Sequence, residues 1–286
     1  MLGIMTGAVL NVVLDPLFIF CFGLGVQGAA IATILSQFIS FWILLFIAGR
    51  KGIPVRLSYF KFQWSYYVEI SHSGLPSLFR QMVGSLATII FNWTAGIYGD
   101  EVLAAFTIVN RITFIANAVL VGFGHGFQPI CGFNYGAKLY ERVKRVFIFC
   151  VKVSTVGMAV LAVTERAFAA FIVGFFGRKE PELVHVAVVS LRLQCLTFPL
   201  LGMVTLTQMM LQSMGRVVSA SILSAGRQGL FLLLVLWIFV SVFGLGGVMM
   251  AQPFADLIAL AVATPYAWKI LKELERKDEI EQGLSY

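Results

Sequence analysis

The amino-acid sequence predicts an all-α fold, a polytopic bundle of membrane-spanning helices. Hydrophobic residues make up 59% of the 286-residue chain and charged residues only 12%, whereas a soluble globular domain usually has about 25% charged residues. Eight long apolar stretches are separated by short polar breaks, and most of them exceed the roughly 20 residues that cross a bilayer. Because the stretches are continuously apolar, whereas the strands of a membrane barrel alternate, the spans are predicted to be helices.

The predicted spans fall into two unequal groups. Two spans lie in residues 1–49, a cytoplasmic linker covers 50–67, six spans occupy 68–268, and a cytoplasmic tail covers 269–286. By apolar run length, the eight spans are roughly 2–23, 26–49, 68–97, 102–133, 147–164, 184–213, 218–243 and 247–268.

A weak internal repeat indicates a six-helix unit. The segment Phe-Gly-Leu-Gly occurs at 22–25 and again at 243–246, where it opens the second and the eighth span. Units of several helices repeated in the same orientation occur in secondary transporters, although turns of this composition are also common between unrelated helices. We interpret 68–268 as one complete unit and 1–49 as the last two helices of another.

The basic residues predict the orientation of the spans. They cluster in alternate breaks, and the positive-inside rule places that side, with both termini, in the cytoplasm. The net charge of +7 then reflects topology and contact with anionic membrane lipids, not nucleic acid. We predict a multi-pass protein of the cell inner (plasma) membrane. The clustered residues are Arg50, Lys51, Arg56, Lys61, Lys138, Arg142, Lys144, Arg145, Arg216, Lys269, Lys272, Arg276 and Lys277.

Polar side chains recur at helical spacing in several spans and predict a hydrated interior. A polar side chain in lipid costs free energy unless it faces protein or water, so stripes on several helices favour a central cavity that binds a substrate. The alternative for each residue is an interhelical hydrogen bond that joins two helices. The candidate cavity residues are Gln81, Ser85, Thr88, Asn92, Asn110, Asn117, Gln128 and Gln208.

Asn11 and Asp15 form the sharpest polar constellation, because they stand four residues apart on one face of the first span. Thr33, on the next span, falls at a similar depth, so the three side chains can meet if the two helices are neighbours. A carboxylate, an amide and a hydroxyl can bind sodium through oxygen or carry a proton. The alternative is that Asp15 and Pro16 only cap a kink.

Other intramembrane charges and prolines are interpreted less specifically. Arg111, Arg192 and Arg227 lie nearer the ends of their spans, and we expect their side chains to reach toward the membrane surface. Four prolines interrupt spans, each removes a helical hydrogen bond, and each is a candidate hinge or a packing irregularity. These prolines are Pro76, Pro129, Pro199 and Pro253.

The sequence offers no constellation for enzymatic or metal chemistry. The four cysteines and three histidines are dispersed singly through apolar sequence, without the spacing of a zinc or haem site. A membrane-embedded enzyme would need clustered acids, histidines or a nucleophile with its base. We therefore expect no cofactor apart from a coupling ion.

Several segments resemble the multidrug and toxic compound extrusion (MATE) family of antiporters, and the resemblance covers essentially the whole chain. The most specific segment is GFGHGFQPICGFNYGAKLYERVKR at 122–145, and the others are NVVLDPLFIFCFGLGVQGAAIATILSQ at 11–37, GLPSLFRQ at 74–81 and GDEVLAAFTIVNRI at 99–112. The resemblance implies twelve helices in two six-helix lobes around a cleft, and export of organic cations in exchange for protons or sodium. It also implies that Asn11, Asp15 and Thr33 match the family's cation site.

The chain departs from the family pattern in two respects. It contains eight predicted spans rather than twelve, so we expect a fragment, a mis-annotated start or a half that needs an N-terminal partner. Some members also carry acids on the first and fourth helices of the second lobe, and here the fourth has none while Glu69 lies at the edge of the first. The alternatives to a multidrug exporter are a lipid-linked oligosaccharide flippase, for which Arg80 alone is little support, and a non-transporting membrane scaffold.

Overall fold

A computed structural model describes residues 2–48, 64–177 and 180–283 of the chain, and it confirms the all-α prediction. Its regular elements are α-helices and two short π-helical segments. In chain order they are α1 (Leu2–Pro16), a first π segment (Leu17–Cys21), α2 (Gly25–Ala48), α3 (Trp64–Gly96), α4 (Asp100–Gly136), α5 (Tyr140–Gly177), α6 (Pro181–Gln194), α7 (Phe198–Ser213), α8 (Val217–Ala225), a second π segment (Gly226–Leu230), α9 (Phe231–Phe243) and α10 (Leu245–Gly283).

These helices follow the eight predicted spans in order and make the chain a multi-pass membrane protein. The helices α6 and α7 together are long and apolar enough to cross a membrane as one bent span, and Met5–Cys21 is apolar but shorter. Five further stretches meet both criteria on their own, and they are Gly25–Ile47, Asp100–Gly136, Tyr140–Phe176, Val217–Phe243 and Leu245–Glu281.

Several boundaries differ from the predicted ones. The predicted span 147–164 is only the apolar middle of α5, because charged residues near both of its ends continue the same helix. The predicted span 184–213 is split into α6 and α7, which are bent by 56°. Pro199 lies in the first turn of α7 and has no N–H to donate to the carbonyl of Cys195, so it interrupts the hydrogen-bond ladder. The region 269–283, predicted as a tail, continues α10 as helix.

The chain divides into two compact units, residues 1–67 and 68–286. In the first unit α1 and α2 approach closely at Gly7. A Cβ atom on Gly7 would lie 2.8 Å from the Cβ atom of Ser40, so a larger residue would force these helices apart.

The second unit is built around two buried apolar clusters. In the first cluster the rings of Phe91 and Phe106 pack edge to face, with their centroids 5.1 Å apart. In the second, the ring centroids of Phe127 and Phe147 are 6.2 Å apart. Small residues of α10 occur in both clusters and let the neighbouring helices approach it closely, as is usual in membranes. They are Ala251, Ala255, Ala259, Ala263 and Ala267.

The two Phe-Gly-Leu-Gly segments have related local structures. Gly23 and Gly244, at equivalent positions, have φ angles of +66° and +55°, a region that favours glycine. Shortly after each turn, a glycine lies against the backbone of the preceding helical segment. A Cβ atom on Gly28 would lie 2.7 Å from the carbonyl oxygen of Phe18, and one on Gly247 only 2.1 Å from that of Phe239.

Ion pairs attach the end of α10 to the α4–α5 and α7–α8 turns. Lys138 pairs with Glu281 at 3.0 Å, and this hydrogen bond raises the pKa of Lys138. Glu273 accepts a hydrogen bond from Arg216 and pairs with Lys277 at 3.2 Å. The contacts of Lys138 and Arg216 hold the end of α10 against the two basic turns, whereas the Glu273–Lys277 pair lies within α10.

Candidate functional site

A polar cavity of about 420 Å³ opens into the second unit. Five amide side chains and two hydroxyl groups dominate its wall, together with Phe91 and Leu232. No charged residue is among the described residues that line it. The polar lining residues are Gln81, Ser85, Thr88, Asn110, Gln194, Gln228 and Gln252.

The polar stripe of the third predicted span, 68–97, supplies one wall of this cavity. Gln81, Ser85 and Thr88 recur at steps of four and three residues along α3, so they share a face, and all three line the cavity. Asn110 joins them from α4. Four of the eight predicted cavity residues are therefore brought together.

The other four predicted residues lie elsewhere, because the stripes are longer than the cavity. Asn92, one turn beyond Thr88, is exposed, and Gln208 is half-buried on α7; neither is a lining residue of the cavity as described. Gln128 donates to Gln212 at 3.0 Å, a side-chain bond between helices. Asn117 lies some 10 Å along α4 from Asn110, where it contacts an arginine.

That arginine, Arg227, belongs to a buried ion pair. Its Nε donates to Oδ1 of Asp256 at 3.1 Å, and its Nη2 donates to Oδ1 of Asn117 at 3.3 Å. The Arg227 side chain is 16% exposed and that of Asp256 only 4%. Each lies about ten residues from an end of its span, or about 15 Å, which is near mid-depth in a ~30 Å hydrocarbon core.

Three helix irregularities meet at this pair. Thr197, in the break between α6 and α7, donates to Oδ2 of Asp256 at 3.2 Å. Arg227 lies in the second π segment, a feature that often marks functional sites. Gln252, beside Pro253 in α10, donates to Oδ1 of Asp256 at 3.3 Å.

The same network reaches the cavity wall. Gln252 and Gln194 both line the cavity, and Oε1 of Gln194 accepts a hydrogen bond of 2.7 Å from Thr113. Gln228, next to Arg227 in the π segment, also lines it. The ion pair is therefore one hydrogen bond away from the groups that face the cavity.

The expectation that Arg227 reaches toward the membrane surface is wrong, because Asp256 and Asn117 satisfy the guanidinium at mid-depth. The sequence did contain a signal for this pair. Counted from Val217, Arg227 lies about 15 Å into its span, and Asp256 lies at a similar depth from Leu245. Opposite charges at one depth in lipid predict a pair.

In the first unit, the three predicted coupling residues are joined by hydrogen bonds. Nδ2 of Asn11 lies 3.2 Å from Oδ1 of Asp15 and 3.4 Å from Oγ1 of Thr33. Thr33 donates its own hydrogen to the carbonyl oxygen of Ala29 at 2.9 Å, so its oxygen can accept from Asn11. Asn11 and Asp15 are half-buried and Thr33 is exposed.

A membrane helix bundle with ionisable groups beside a polar cavity has the features of a membrane transporter. The chain belongs to the MatE family, whose sequence profile matches residues 76–238, more than half of the chain. The resemblance to MATE proteins is thereby confirmed, and members of this family are transporters, not enzymes.

Individual relatives agree with this assignment. The chain is 26% identical over 268 residues to the multidrug export protein MepA of Staphylococcus saprophyticus, covering 92% of this chain and 58% of that protein. It is 27% identical over 264 residues to MepA of Staphylococcus aureus, covering 91% of this chain and 58% of that protein. The chain thus spans less than two thirds of the length of these relatives.

Solved structures show the same architecture. A crystal structure of MATE in complex with MaL6 matches with a TM-score of 0.86 and 25% identity, covering 96% of this chain and 63% of the other. An outward-facing multidrug resistance MATE transporter matches with a TM-score of 0.84 and 25% identity, covering the same shares.

Proposed function

We propose that this chain supplies the greater part of a secondary active exporter that moves organic cations across the plasma membrane in exchange for protons or sodium. The observation that carries the proposal is the amide-lined cavity beside a buried ion pair in a MatE family chain. The relatives named above are called multidrug export proteins. Because the chain covers 58% of their length, the activity of a whole transporter is part of the proposal.

The proposed coupling site is Asn11, Asp15 and Thr33. A proton or sodium ion arriving at Asp15 neutralises its carboxylate, and this changes the free energy of the conformations in which the cleft faces the two sides of the membrane. Both termini are proposed to face the cytoplasm, as the basic turns predict, and no further cofactor is required.

The proposed substrate site is the cavity of the second unit. Its amides and hydroxyls supply hydrogen bonds, and Phe91 adds an aromatic ring to the lining, a group that attracts cations. Gln81, Ser85, Thr88 and Asn110 are the predicted residues assigned to this site. The outer surface of the helices contacts membrane lipids.

A second candidate function is the flipping of a lipid-linked oligosaccharide, since amides and hydroxyls also suit a sugar. A flippase for such anionic lipids is expected to have a strongly cationic cavity. Beside this cavity, the negative charge of Asp256 offsets the positive charge of Arg227. The cavity is therefore not strongly cationic, which favours the export of cations.

Ethidium efflux from exporter-deficient cells tests the proposed function. The part of MepA that this chain does not match, which the span count predicts to be N-terminal, is fused to the chain, and the fusion is compared with its Asp15→Asn variant. We expect efflux by the fusion and its loss in the variant, with ethidium binding only weakened. Asp100→Asn, an exposed acid in the first turn of α4, is the matched control and should export normally. Equal efflux by the Asp15→Asn variant would remove Asp15 from the coupling site.

A further inference from the structure

We propose that the Arg227–Asp256 pair is a second ion-responsive site, which takes a proton on Asp256 and so changes the charge beside the cavity. The pair belongs to the second unit and is separate in sequence from Asn11, Asp15 and Thr33. Its role in export rests on the proposed function, but its protonation does not.

The geometry of the pair allows it to open. An arginine that binds a carboxylate with two parallel N–H groups forms a strong bidentate contact. Here the guanidinium divides its donors, with Nε on Asp256 and Nη2 on Asn117. Burying both charges also costs free energy that offsets much of their attraction. A single contact of this kind is less stable against protonation than a bidentate one.

Thr197 provides hydrogen bonds for both protonation states. Its hydroxyl oxygen lies 3.2 Å from Oδ2 of Asp256 and 3.0 Å from the carbonyl oxygen of Gln194. A hydroxyl has one hydrogen to donate, so it serves one acceptor at a time. When Asp256 is ionised, Thr197 donates to Oδ2. When a proton is added to Oδ2, the new O–H donates to Thr197, which turns its own hydrogen to Gln194.

Among the described residues of the helices around Asp256, Arg227 is the charged side chain that forms an ion pair with its carboxylate. The helices α7, α8 and α9 carry no charged or histidine residues. Other ionisable groups on neighbouring helices make no hydrogen bond or ion pair with Asp256 among the described contacts. They include Arg80 on α3, Arg111, His125 and Cys131 on α4, Cys150, Lys152, Glu165 and Arg166 on α5, and Glu182, His185 and Arg192 on α6, with Cys195 in the α6–α7 break; the remaining charged groups of α4 and α5 lie near the helix ends, at Asp100, Glu101, Glu141, Arg142, Lys144 and Arg145.

Protonation of Asp256 changes the cavity in two ways. The pair gains one positive charge, because Arg227 keeps its proton, and this charge opposes a bound organic cation. Protonation also changes hydrogen bonds behind the cavity wall. Gln252 bonds to Asp256, the carbonyl oxygen of Gln194 accepts from Thr197, and both glutamines line the cavity. Proton binding and cation binding therefore oppose each other, which favours exchanging one for the other.

Infrared difference spectroscopy of the purified 286-residue chain in lipid nanodiscs tests the protonation. Acidification should produce carbonyl bands of protonated carboxylic acids, and the component that belongs to Asp256 should be missing in Asp256→Asn. The control Glu165→Gln, which removes another acid of the second unit, should retain that component. Thr197→Val should move it, because the carboxylic O–H loses its acceptor. Thr207→Val is the matched control, since this buried hydroxyl bonds only to the Met203 carbonyl oxygen among the described contacts.

Equilibrium binding of tetraphenylphosphonium tests the consequence for the cavity. Acidification should weaken binding on the order of tenfold, which corresponds to about 1.4 kcal/mol. The double variant Arg227→Gln/Asp256→Asn has no pair to open, so its binding should lose this tenfold dependence on pH. It also leaves neither charge unpaired, which keeps the test available if Asp256→Asn does not fold.

The outcomes separate the two proposals. If the carboxylic acid bands of Asp256→Asn match those of wild type with no component lost, the protonation of Asp256 is overturned. Binding that depends on pH equally in wild type and double variant overturns its link to the cavity. If both expected results are found and the MepA fusion exports no ethidium, the proposed export function fails while the ion-responsive site stands.

Discussion

The Arg227–Asp256 pair makes a quantitative prediction about stability. Replacing Asp256 by Leu leaves the guanidinium buried with Asn117 as its described side-chain partner. Breaking a buried ion pair from one side costs about 3–5 kcal/mol, whereas replacing both partners by apolar residues is often nearly neutral. Neither value needs a large reduction for solvent screening, since the two side chains are 16% and 4% exposed.

The double-mutant cycle therefore compares Asp256→Leu, Arg227→Met and the combined variant. Arg227→Met leaves the carboxylate with donors from Gln252 and Thr197, so we expect it to cost less than Asp256→Leu. The combined variant should be more stable than Asp256→Leu. Unfolding free energies are measured by titrating the purified chain in mixed micelles with sodium dodecyl sulfate. Two single costs that add to within about 0.5 kcal/mol would show independent residues and refute the pairing.

Two further predictions follow from other parts of the chain. Gly247→Ala places a Cβ atom 2.1 Å from the carbonyl oxygen of Phe239, whereas Gly246→Ala meets its nearest atom at 3.9 Å. Gly247→Ala should therefore lower the unfolding free energy by about 1–3 kcal/mol, and it should cost clearly more than the neighbouring substitution in the same titration. For topology, Tyr140→Cys should be protected from an impermeant thiol reagent in intact cells and Lys179→Cys should react; labelling at position 140 from outside would reverse the orientation.

The sequence predicted the helical fold and the constellation in the first unit because both depend on local spacing. Continuous apolar runs indicate helices in lipid, and residues four apart, such as Asn11 and Asp15, share a helix face whatever the tertiary structure is. The position of Thr33 followed from helix direction and depth along neighbouring spans, and that of Asn110 from the polar stripe of its own span.

The rest depended on where the helices bend and rotate. The polar stripe of α4 contains Asn110, Asn117 and Gln128, but it serves a cavity wall, an ion pair and an interhelical bond at three depths. Apolar run length also did not reveal the break before α7 or the π segment that holds Arg227. These irregularities decide which polar groups meet.

The central claim is that an ion gradient drives export through this fold, with Asp15 as a coupling group. The most direct measurement is ethidium transport by proteoliposomes containing the MepA fusion, with a proton or a sodium gradient imposed across the vesicle membrane. We expect transport when one of these gradients is imposed, none without a gradient, and none in Asp15→Asn. Transport that is equal with and without both gradients would contradict it.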